Sequence, residues 1–419
     1  MIKYSPFLIM ALLLPEITGA TEYSVRGYLS AKASRYTSNE NNSRTGQAHR
    51  AQLEQESRVS SDLIFVNQVR WNYNSLYTDL SGQASTDAKD THKIFAGDNY
   101  LKYKASSWVI QTGYQEIAWG EAFGFNYADI INPKDLKETF YSDYSESRLP
   151  LFLVNFKYFI NDGSIQLIYS PEPKFNATLP VSLFTKNSLV QTDVTTDKEH
   201  SPDFFDEHEY GGKISKSFWG VDASVFYFNY LDRDANYVLN SATLTSVSLT
   251  EKHDRVNSTG LSLASSIMEN YVFRTDVVFT KNKQINSISG IILISTPVNV
   301  TNILISLDTP TYNKFSGVVV FASSQLSEDL VMAFRETNES YAIAKLSYDF
   351  GEEKVFDLSY THEFGQAGHG VQSLLTWPVT NSLDLRFGAE VYWGDELSQL
   401  YKIKNVSNVF LGIKNYFQL

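Results

Sequence analysis

The feature that most constrains this chain is an alternation of apolar and polar residues that recurs along its length. In residues 383–391 the apolar side chains take every odd position, and polar or small side chains take every even one. Similar alternation is found at residues 271–279, 344–350 and 356–364. A period of two sustained over about eight to ten residues is typical of a β-strand with one apolar face. The pattern therefore predicts an all-β fold.

Strand length and aromatic placement favour a membrane barrel over a soluble sandwich, which would also alternate. The segments match the roughly 9–11 residues of a tilted membrane strand rather than the usual five or six. Aromatic residues gather near predicted strand ends, as in YVF at 271–273 and VYWG at 391–394, which is typical of the girdles of outer-membrane barrels. We therefore predict a transmembrane antiparallel β-barrel of about 18 strands, within a range of about 16–20. Such a barrel encloses an aqueous lumen unless something fills it.

Residues 1–20 have the pattern of a secretory signal peptide. Lys3 supplies the positive charge, residues 7–14 form a short apolar run, and small residues precede a cleavage site after Ala20. The chain contains no cysteine, and an exported protein without disulfides fits the periplasm or outer membrane of a Gram-negative bacterium. We therefore expect residues 21–419 to form a single outer-membrane β-barrel domain after the signal peptide is removed.

The segment before Leu419 predicts the strand that closes the barrel. Leu411, Ile413, Phe417 and Leu419 alternate with polar residues that include Lys414. Phe417 and Leu419 are therefore predicted to face lipid and to support membrane insertion. The partners expected for such a barrel are outer-membrane lipid, lipopolysaccharide and the barrel-assembly machinery.

A polar segment follows Trp119-Gly120 at the end of a predicted strand. Trp119 itself is expected in the interfacial girdle or at the rim of the barrel. Further along, Asn132 has the side chain of a helix N-cap, and Pro133 suits the first helical position. Asp135 is placed where its carboxylate can meet free backbone amides. We therefore expect a short helix in this connection.

We expect this connection, residues 121–144, to fold into the barrel and narrow the lumen, because a capped helix would hold one shape inside a wet pore. Buried aspartates in it would need partners, which helix amides, Arg148 or basic residues of the lumen can supply. The alternative is a loop packed on the outside, with its charges solvated. The predicted constriction residues are Trp119, Glu121, Asp129, Asn132, Pro133, Asp135 and Arg148.

The same stretch carries a resemblance to a known family. The segment WGEAFGFNYADIINPKDL, residues 119–136, is similar to the signature of an outer-membrane family catalogued as domain of unknown function 1302. Gly113 and Gln115 fit the strand that precedes the signature in that family, whereas Tyr114 stands where the family usually has arginine. The resemblance covers roughly residues 100–280.

This resemblance implies a barrel in the outer membrane. It also implies a partnership with an inner-membrane exporter of the resistance-nodulation-division type and with a periplasmic lipid-carrier-like protein. It does not identify the transported molecule.

Catalytic and metal sites have little support in the residue pattern. The chain shows no Gly-x-Ser-x-Gly elbow, and its seven histidines are scattered, so we expect no enzymatic activity and no cofactor. The acidic stretch at residues 197–209 includes His200 and His208, which are weak candidates for a divalent metal site. A solvated loop is the more ordinary explanation of such a charge run.

The charge balance argues against nucleic acid as a partner, because the net charge is −12 and the chain has no basic run. A negative balance favours cations or neutral solutes in a lumen. We therefore predict an outer-membrane channel or export component that passes a small or lipid-like molecule together with an inner-membrane exporter. The alternatives are a passive diffusion porin, a barrel-embedded enzyme and a surface adhesion protein.

Overall fold

The computed structural model describes most of the chain. The predicted signal peptide, residues 1–20, and the predicted site residues Glu121, His200 and Leu419 lie outside the described residues. No helix in the described part is long and apolar enough to cross a membrane. The described residues are 22–37, 45–74, 92–120, 126–136, 147–177, 193–197, 202–243, 246–268, 270–289, 292–328, 338–396 and 398–418.

Within those ranges, eighteen strands form one closed antiparallel sheet, which confirms the predicted barrel and its strand number. Successive barrel strands pair with each other, and the first strand also pairs with the last, which closes the ring. The barrel strands are β1 (Glu22–Tyr36), β2 (Thr45–Arg58), β3 (Leu63–Asn74), β4 (His92–Lys104), β5 (Trp108–Gln115), β6 (Leu151–Ile160), β7 (Gly163–Ser170), β9 (Glu209–Phe218), β10 (Val221–Leu231), β13 (Arg255–Ile267), β14 (Tyr271–Ser289), β15 (Ile292–Asp308), β16 (Phe315–Leu326), β17 (Asn338–Gly351), β18 (Lys354–Phe364), β19 (Gly368–Thr380), β20 (Leu383–Trp393) and β21 (Asn408–Gln418).

A small separate sheet is formed by β8 (Asp193–Asp197), β11 (Asn236–Ala242) and β12 (Ser246–Lys252). β12 pairs antiparallel with β11 and parallel with β8. Tyr237 N donates to Asn286 Oδ1 at 2.8 Å, and Asn286 Nδ2 donates to the Tyr237 carbonyl at 2.7 Å. The small sheet is therefore attached to β14 at the barrel rim.

The connection between β20 and β21 contains a short helix, α1 (Gln399–Lys402), and a 3-10 turn, Lys404–Val406. The buried Glu363 carboxylate accepts from the backbone N–H of Gln399 at 3.0 Å and of Leu400 at 3.2 Å. A carboxylate at a helix start satisfies amides that have no partner within the helix. This connection is therefore anchored to the wall at β18.

The predicted apolar rows face the outside of the barrel. On β10, Val225 and Tyr227 are exposed, whereas the alternating Phe226 and Phe228 are buried. Exposed apolar side chains repeat in this way around the barrel and form the apolar belt that a membrane requires. The predicted face is confirmed for the exposed set Leu346, Leu358, Tyr360, Phe364, Phe387, Val391, Leu411 and Ile413.

The closing seam pairs a glycine with an aromatic ring. Gly27 of β1 lies directly opposite Phe417 of β21, and a Cβ built on Gly27 would lie 2.6 Å from the Phe417 ring. Gly27 therefore leaves the space that this ring occupies, an arrangement in which the ring covers backbone that lacks a side chain. Phe417 shares its strand face with Leu411 and Ile413, as the alternation predicts.

The two ends of the barrel differ in their connections. Short turns join strands at one end, as at residues 161–162 and 219–220. β1 begins and β21 ends at this end, since Arg26 pairs with Gln418. Long connections leave the opposite end, among them residues 116–150, 171–208 and 232–254.

Ile413→Arg should reduce the amount of folded barrel in the membrane. Ile413 is 46% exposed on the outward face of β21, and an arginine that faces lipid near the bilayer midplane costs roughly 2–4 kcal/mol. Lys414→Arg is the matched control, because this neighbouring position faces inward and already carries a cation. Heat-modifiable folded protein in outer-membrane fractions measures the effect, and equal yields of the two variants would show that Ile413 does not face lipid.

Candidate constriction site inside the barrel

Trp119 lies inside the barrel, so the expectation of a girdle or rim position is wrong. It is 1% exposed, and its ring packs against Phe226 and Phe228 of β10 with centroid distances of 5.3 and 6.0 Å. Those two phenylalanines alternate with the outward-facing Val225 and Tyr227 and therefore face inward. The root of the connection between β5 and β6 thus turns into the lumen.

Polar contacts fix Trp119 to neighbouring strands. Its Nε1 donates to Gln166 Oε1 of β7 at 3.1 Å, and Lys213 Nζ of β9 donates to its carbonyl at 2.8 Å. Gln166 Nε2 donates in turn to Asn155 Oδ1 of β6 at 2.9 Å. Because a buried indole N–H is costly without an acceptor, these bonds hold the ring in one orientation.

Residues 116–120 and 126–136, here called the inner segment, cross the lumen. Ala128 and Ile131 are fully buried against inward side chains of β6, β7 and β10. Tyr127 also packs on the cluster of Leu304 on β15 and Val320 on β16. In the ring of eighteen strands, β15 is the seventh strand after β5, and the strands between them are β6, β7, β9, β10, β13 and β14. The inner segment therefore reaches the far wall of the barrel.

Asn132 joins the two ends of the connection and does not cap a helix. Its Oδ1 accepts from Ile117 N at 2.7 Å, and its Nδ2 donates to the carbonyls of Gln115 at 2.8 Å and Leu149 at 2.9 Å. Residues 133–136 are extended, so the predicted helix start is wrong. The Asn132 amide instead satisfies backbone groups of β5 and of the approach to β6, an alternative to capping that such side chains readily take.

Extended backbone contacts also hold the residues after Asn132. The Pro133 carbonyl accepts from Leu149 N at 2.8 Å, and Asp135 N donates to the Ser147 carbonyl at 2.7 Å. Ala177 N donates to the Lys134 carbonyl at 2.8 Å, which links the inner segment to the connection after β7. Proline has no N–H, so its place in this ladder leaves no donor unpaired.

Asp129 is buried and paired with basic side chains. Arg148 Nε donates to its Oδ2 at 2.9 Å, and Lys134 Nζ lies 3.7 Å from the same oxygen. Helix amides, Arg148 and basic residues of the lumen are the partners predicted for Asp129 and Asp135. In the structure, Arg148 pairs with Asp129. Since an isolated buried carboxylate is strongly disfavoured, this pairing makes the inward position of Asp129 tolerable.

Arg233 and Glu209 form a buried ion pair that sequence reasoning missed. The Arg233 guanidinium donates to Glu209 Oε1 and Oε2, both at 2.7 Å, in a bidentate fork. It also donates to the carbonyls of Ile131 at 2.6 Å and Lys174 at 2.8 Å. The fork thus joins the barrel wall to the inner segment and to the connection after β7. Both residues lie in long polar stretches, and nothing in their spacing indicates that they meet.

Glu116, at the start of the inner segment, faces the opposite side of the lumen. Its carboxylate lies 2.6 Å from Arg70 Nη1 of β3, and its backbone N–H donates to Asp98 Oδ1 of β4 at 2.9 Å. Burial raises the pKa of the Glu116 carboxyl to about 7, although Arg70 and Arg148 oppose that rise. Glu116 is therefore a group whose charge changes near neutral pH.

Charged side chains recur on the inner faces of β17, β18, β20, β21 and β1–β4, here called the charged half. Arg26 Nε donates to Glu54 Oε1 at 3.0 Å, and Gln68 Nε2 donates to Glu54 Oε2 at 2.9 Å. Lys414 Nζ lies 4.1 Å from the centroid of the Tyr28 ring. The interior is therefore asymmetric, with an apolar half packed against the inner segment and a charged half that water can solvate.

One of the two weak metal candidates of the acidic stretch, His208, lies in the described residues. His208 Nδ1 lies 2.9 Å from the Tyr169 hydroxyl, while His200 is outside the described part. Glu209 of the same stretch is committed to Arg233. The described residues contain no group of three or more His, Cys, Asp or Glu side chains that could hold a metal ion.

Comparison with known proteins gives the fold. No family model and no curated protein matches this chain. Solved structures match over almost their whole length. OccAB4 of Acinetobacter baumannii has a TM-score of 0.55 at 10% identity, covering 96% of this chain and 100% of its own. The chain has the fold of outer-membrane porins.

Two Pseudomonas aeruginosa porins match similarly. OccK8 (OprE) has a TM-score of 0.54 at 10% identity and covers 95% of this chain and 97% of its own. OccD3 (OpdP) has a TM-score of 0.54 at 10% identity and covers 96% of this chain and 94% of its own. At this identity the likeness to these porins concerns architecture, so the function must be argued from the site.

Arg233→Met should destabilise the barrel far more than Arg255→Met. Removing Arg233 leaves the Glu209 carboxylate buried without its counter-charge, which costs roughly 3–5 kcal/mol. Arg255 pairs with Glu207 and also donates to the His208 carbonyl and to Asn229 Oδ1. Its side chain is partly exposed, so water can replace these contacts and its loss costs about 1–2 kcal/mol. Urea unfolding in detergent micelles, followed by tryptophan fluorescence, compares the two. Equal midpoints would contradict the structural role of the fork.

Proposed function

We propose that this protein is an outer-membrane channel for small polar solutes, with a lumen narrowed by the inner segment. The observation that carries the proposal is the contact of Tyr127 with β15 and β16, on the far side of the barrel from β5. A barrel of eighteen strands is wide enough to keep an aqueous path unless it is filled. The inner segment fills one half, so the path follows the charged half.

The inner segment is suited to act as a fixed constriction. Asn132, Trp119 and the Arg233–Glu209 fork attach it to strands on several sides. Because the segment is held at these points, its conformation changes little when a solute passes. A constriction of fixed shape can select solutes by size and charge. Paired charges of both signs in the charged half, such as Arg26 and Glu54, provide polar contacts for a hydrated solute.

The family resemblance supports a more specific version of this function. In that version an inner-membrane exporter and a periplasmic lipid-carrier-like protein deliver a small or lipid-like molecule to the end with the short turns. The charged half favours a polar solute over a lipid-like one, since lipid chains gain little from a charged wall. A channel that conducts ions alone in a planar bilayer would support passive diffusion, whereas a silent barrel would support the exporter-dependent version.

Deleting residues 126–136 should widen the pore. The deletion removes the part of the inner segment that crosses the lumen, so single-channel conductance in a planar bilayer should rise by roughly twofold or more. Tyr127→Ala, which keeps the anchoring contacts of Asn132 and Ile131, should give a smaller increase in the same direction.

Trp219→Ala is the control for the pore-widening experiment, because Trp219 lies in an exposed turn at the other end of the barrel and should leave conductance unchanged. If the deletion and Tyr127→Ala both fold and both keep the wild-type conductance, the inner segment is not the constriction.

Ion selectivity should depend on pH near neutrality through Glu116. As the pH falls from about 8 to about 6, protonation of this carboxyl, whose pKa is about 7, removes a negative charge beside Arg70. The ratio of cation to anion permeability should therefore fall, which reversal potentials in a salt gradient measure. Glu116→Gln should abolish this change and Asp62→Asn, in the exposed turn between β2 and β3, should retain it, so an unaltered pH dependence in Glu116→Gln would assign the titration elsewhere.

A further inference from the structure

Two histidines face each other on the outside of the barrel. His362 of β18 and His369 of β19 are directly opposite Cα partners. Their neighbours on the same surface, Tyr360, Phe364 and Trp393, are exposed, so the pair belongs to the outward face. Since β18 and β19 are joined at residues 365–367, the pair lies near the rim with the long connections. No step of the proposed channel function uses it.

The two imidazoles are separated by the distance that a shared metal ion requires. His362 Nδ1 and His369 Nδ1 are 3.4 Å apart, which is longer than the usual range of a hydrogen bond. Two nitrogens bound to one tetrahedral zinc at about 2.0–2.1 Å would be separated by roughly 3.3–3.4 Å. Both nitrogens can present lone pairs when each ring carries its proton on Nε2. The separation of the two nitrogens thus fits bidentate chelation, and the two rings lie with their centroids 4.9 Å apart and an interplanar angle of 29°.

Neighbouring side chains hold the rings in this orientation. The Trp393 ring stacks on His369 at 5.4 Å with an interplanar angle of 21°. Phe364 meets His362 edge-on at 4.7 Å and 77°. The Tyr360 hydroxyl donates to His369 Nδ1 at 2.8 Å when that ring carries its proton on Nε2, so a bound ion takes the place of this hydrogen bond with the Tyr360 oxygen beside it. Such contacts orient metal-binding imidazoles before the ion arrives.

We propose that His362 and His369 form a binding site for a divalent transition-metal ion, with Zn²⁺ as the best match. Imidazole nitrogens suit zinc, copper and nickel rather than magnesium or calcium. The two histidines supply the nitrogen ligands, the Tyr360 oxygen is in reach of a third position, and water completes the shell. Two protein nitrogens make this an exchangeable rather than a permanently occupied site.

Titration of the folded, detergent-solubilised barrel with ZnCl₂ tests the site. Isothermal calorimetry should give one ion per chain, with an affinity that weakens by about tenfold or more in His362→Gln and in His369→Gln. Electron paramagnetic resonance with Cu²⁺ in place of Zn²⁺ should show coupling to two nitrogens in the wild type and to one in either variant. Circular dichroism verifies that each variant retains the barrel.

His49→Gln is a matched control. The His49 ring stacks on Tyr73 at 5.5 Å with an interplanar angle of 28°, which repeats the imidazole–phenol contact of His369 with Tyr360 on another part of the barrel. This variant should bind zinc as the wild type does. Absence of zinc and copper binding by the wild type would overturn the proposal. Equal affinity in the wild type and in a His362→Gln/His369→Gln double variant would overturn it as well.

Discussion

Closure of the backbone hydrogen-bond ladder is the constraint on which the rest of this structure depends. Within hydrocarbon, an unpaired N–H or C=O group costs several kcal/mol, so a membrane sheet cannot keep an edge. β1 and β21 meet this constraint by pairing from Arg26 with Gln418 to Tyr36 with Asn408. Closure with eighteen strands sets a diameter that inward side chains cannot fill. The interior must therefore be occupied by a connection or by water.

In this barrel a connection occupies one half of the interior and water can occupy the other. In both halves the polar groups are either paired or solvated. In one half, the apolar side chains of the inner segment pack against the wall, and the charges carried in with it are paired, as Asp129 is with Arg148. The Arg233–Glu209 fork adds a bidentate pair that also satisfies the Ile131 carbonyl. In the other half, charged side chains remain solvated, which is where we place the solute path.

The sequence supported the membrane part of the fold far better than the candidate site. Strand number and outward faces were predictable because each strand carries its own apolar row. The neighbours Pro133 and Asp135 predict a helix cap at Asn132, yet its amide donates to the carbonyls of Gln115 and Leu149. Whether an asparagine side chain caps a helix or bonds to the backbone of other segments depends on which segments lie nearby. Those neighbours are set only when the barrel closes.

By itself, the sequence determined which side chains face lipid, because the period of two is a local property of the β-strand pleat. It also determined that the strands are long enough to cross a membrane. Only the tertiary structure decided that Trp119 packs on Phe226 and that Arg233 meets Glu209. These partners come from segments far apart in the chain. The order of strands around the ring brings them together, and no local pattern records that order.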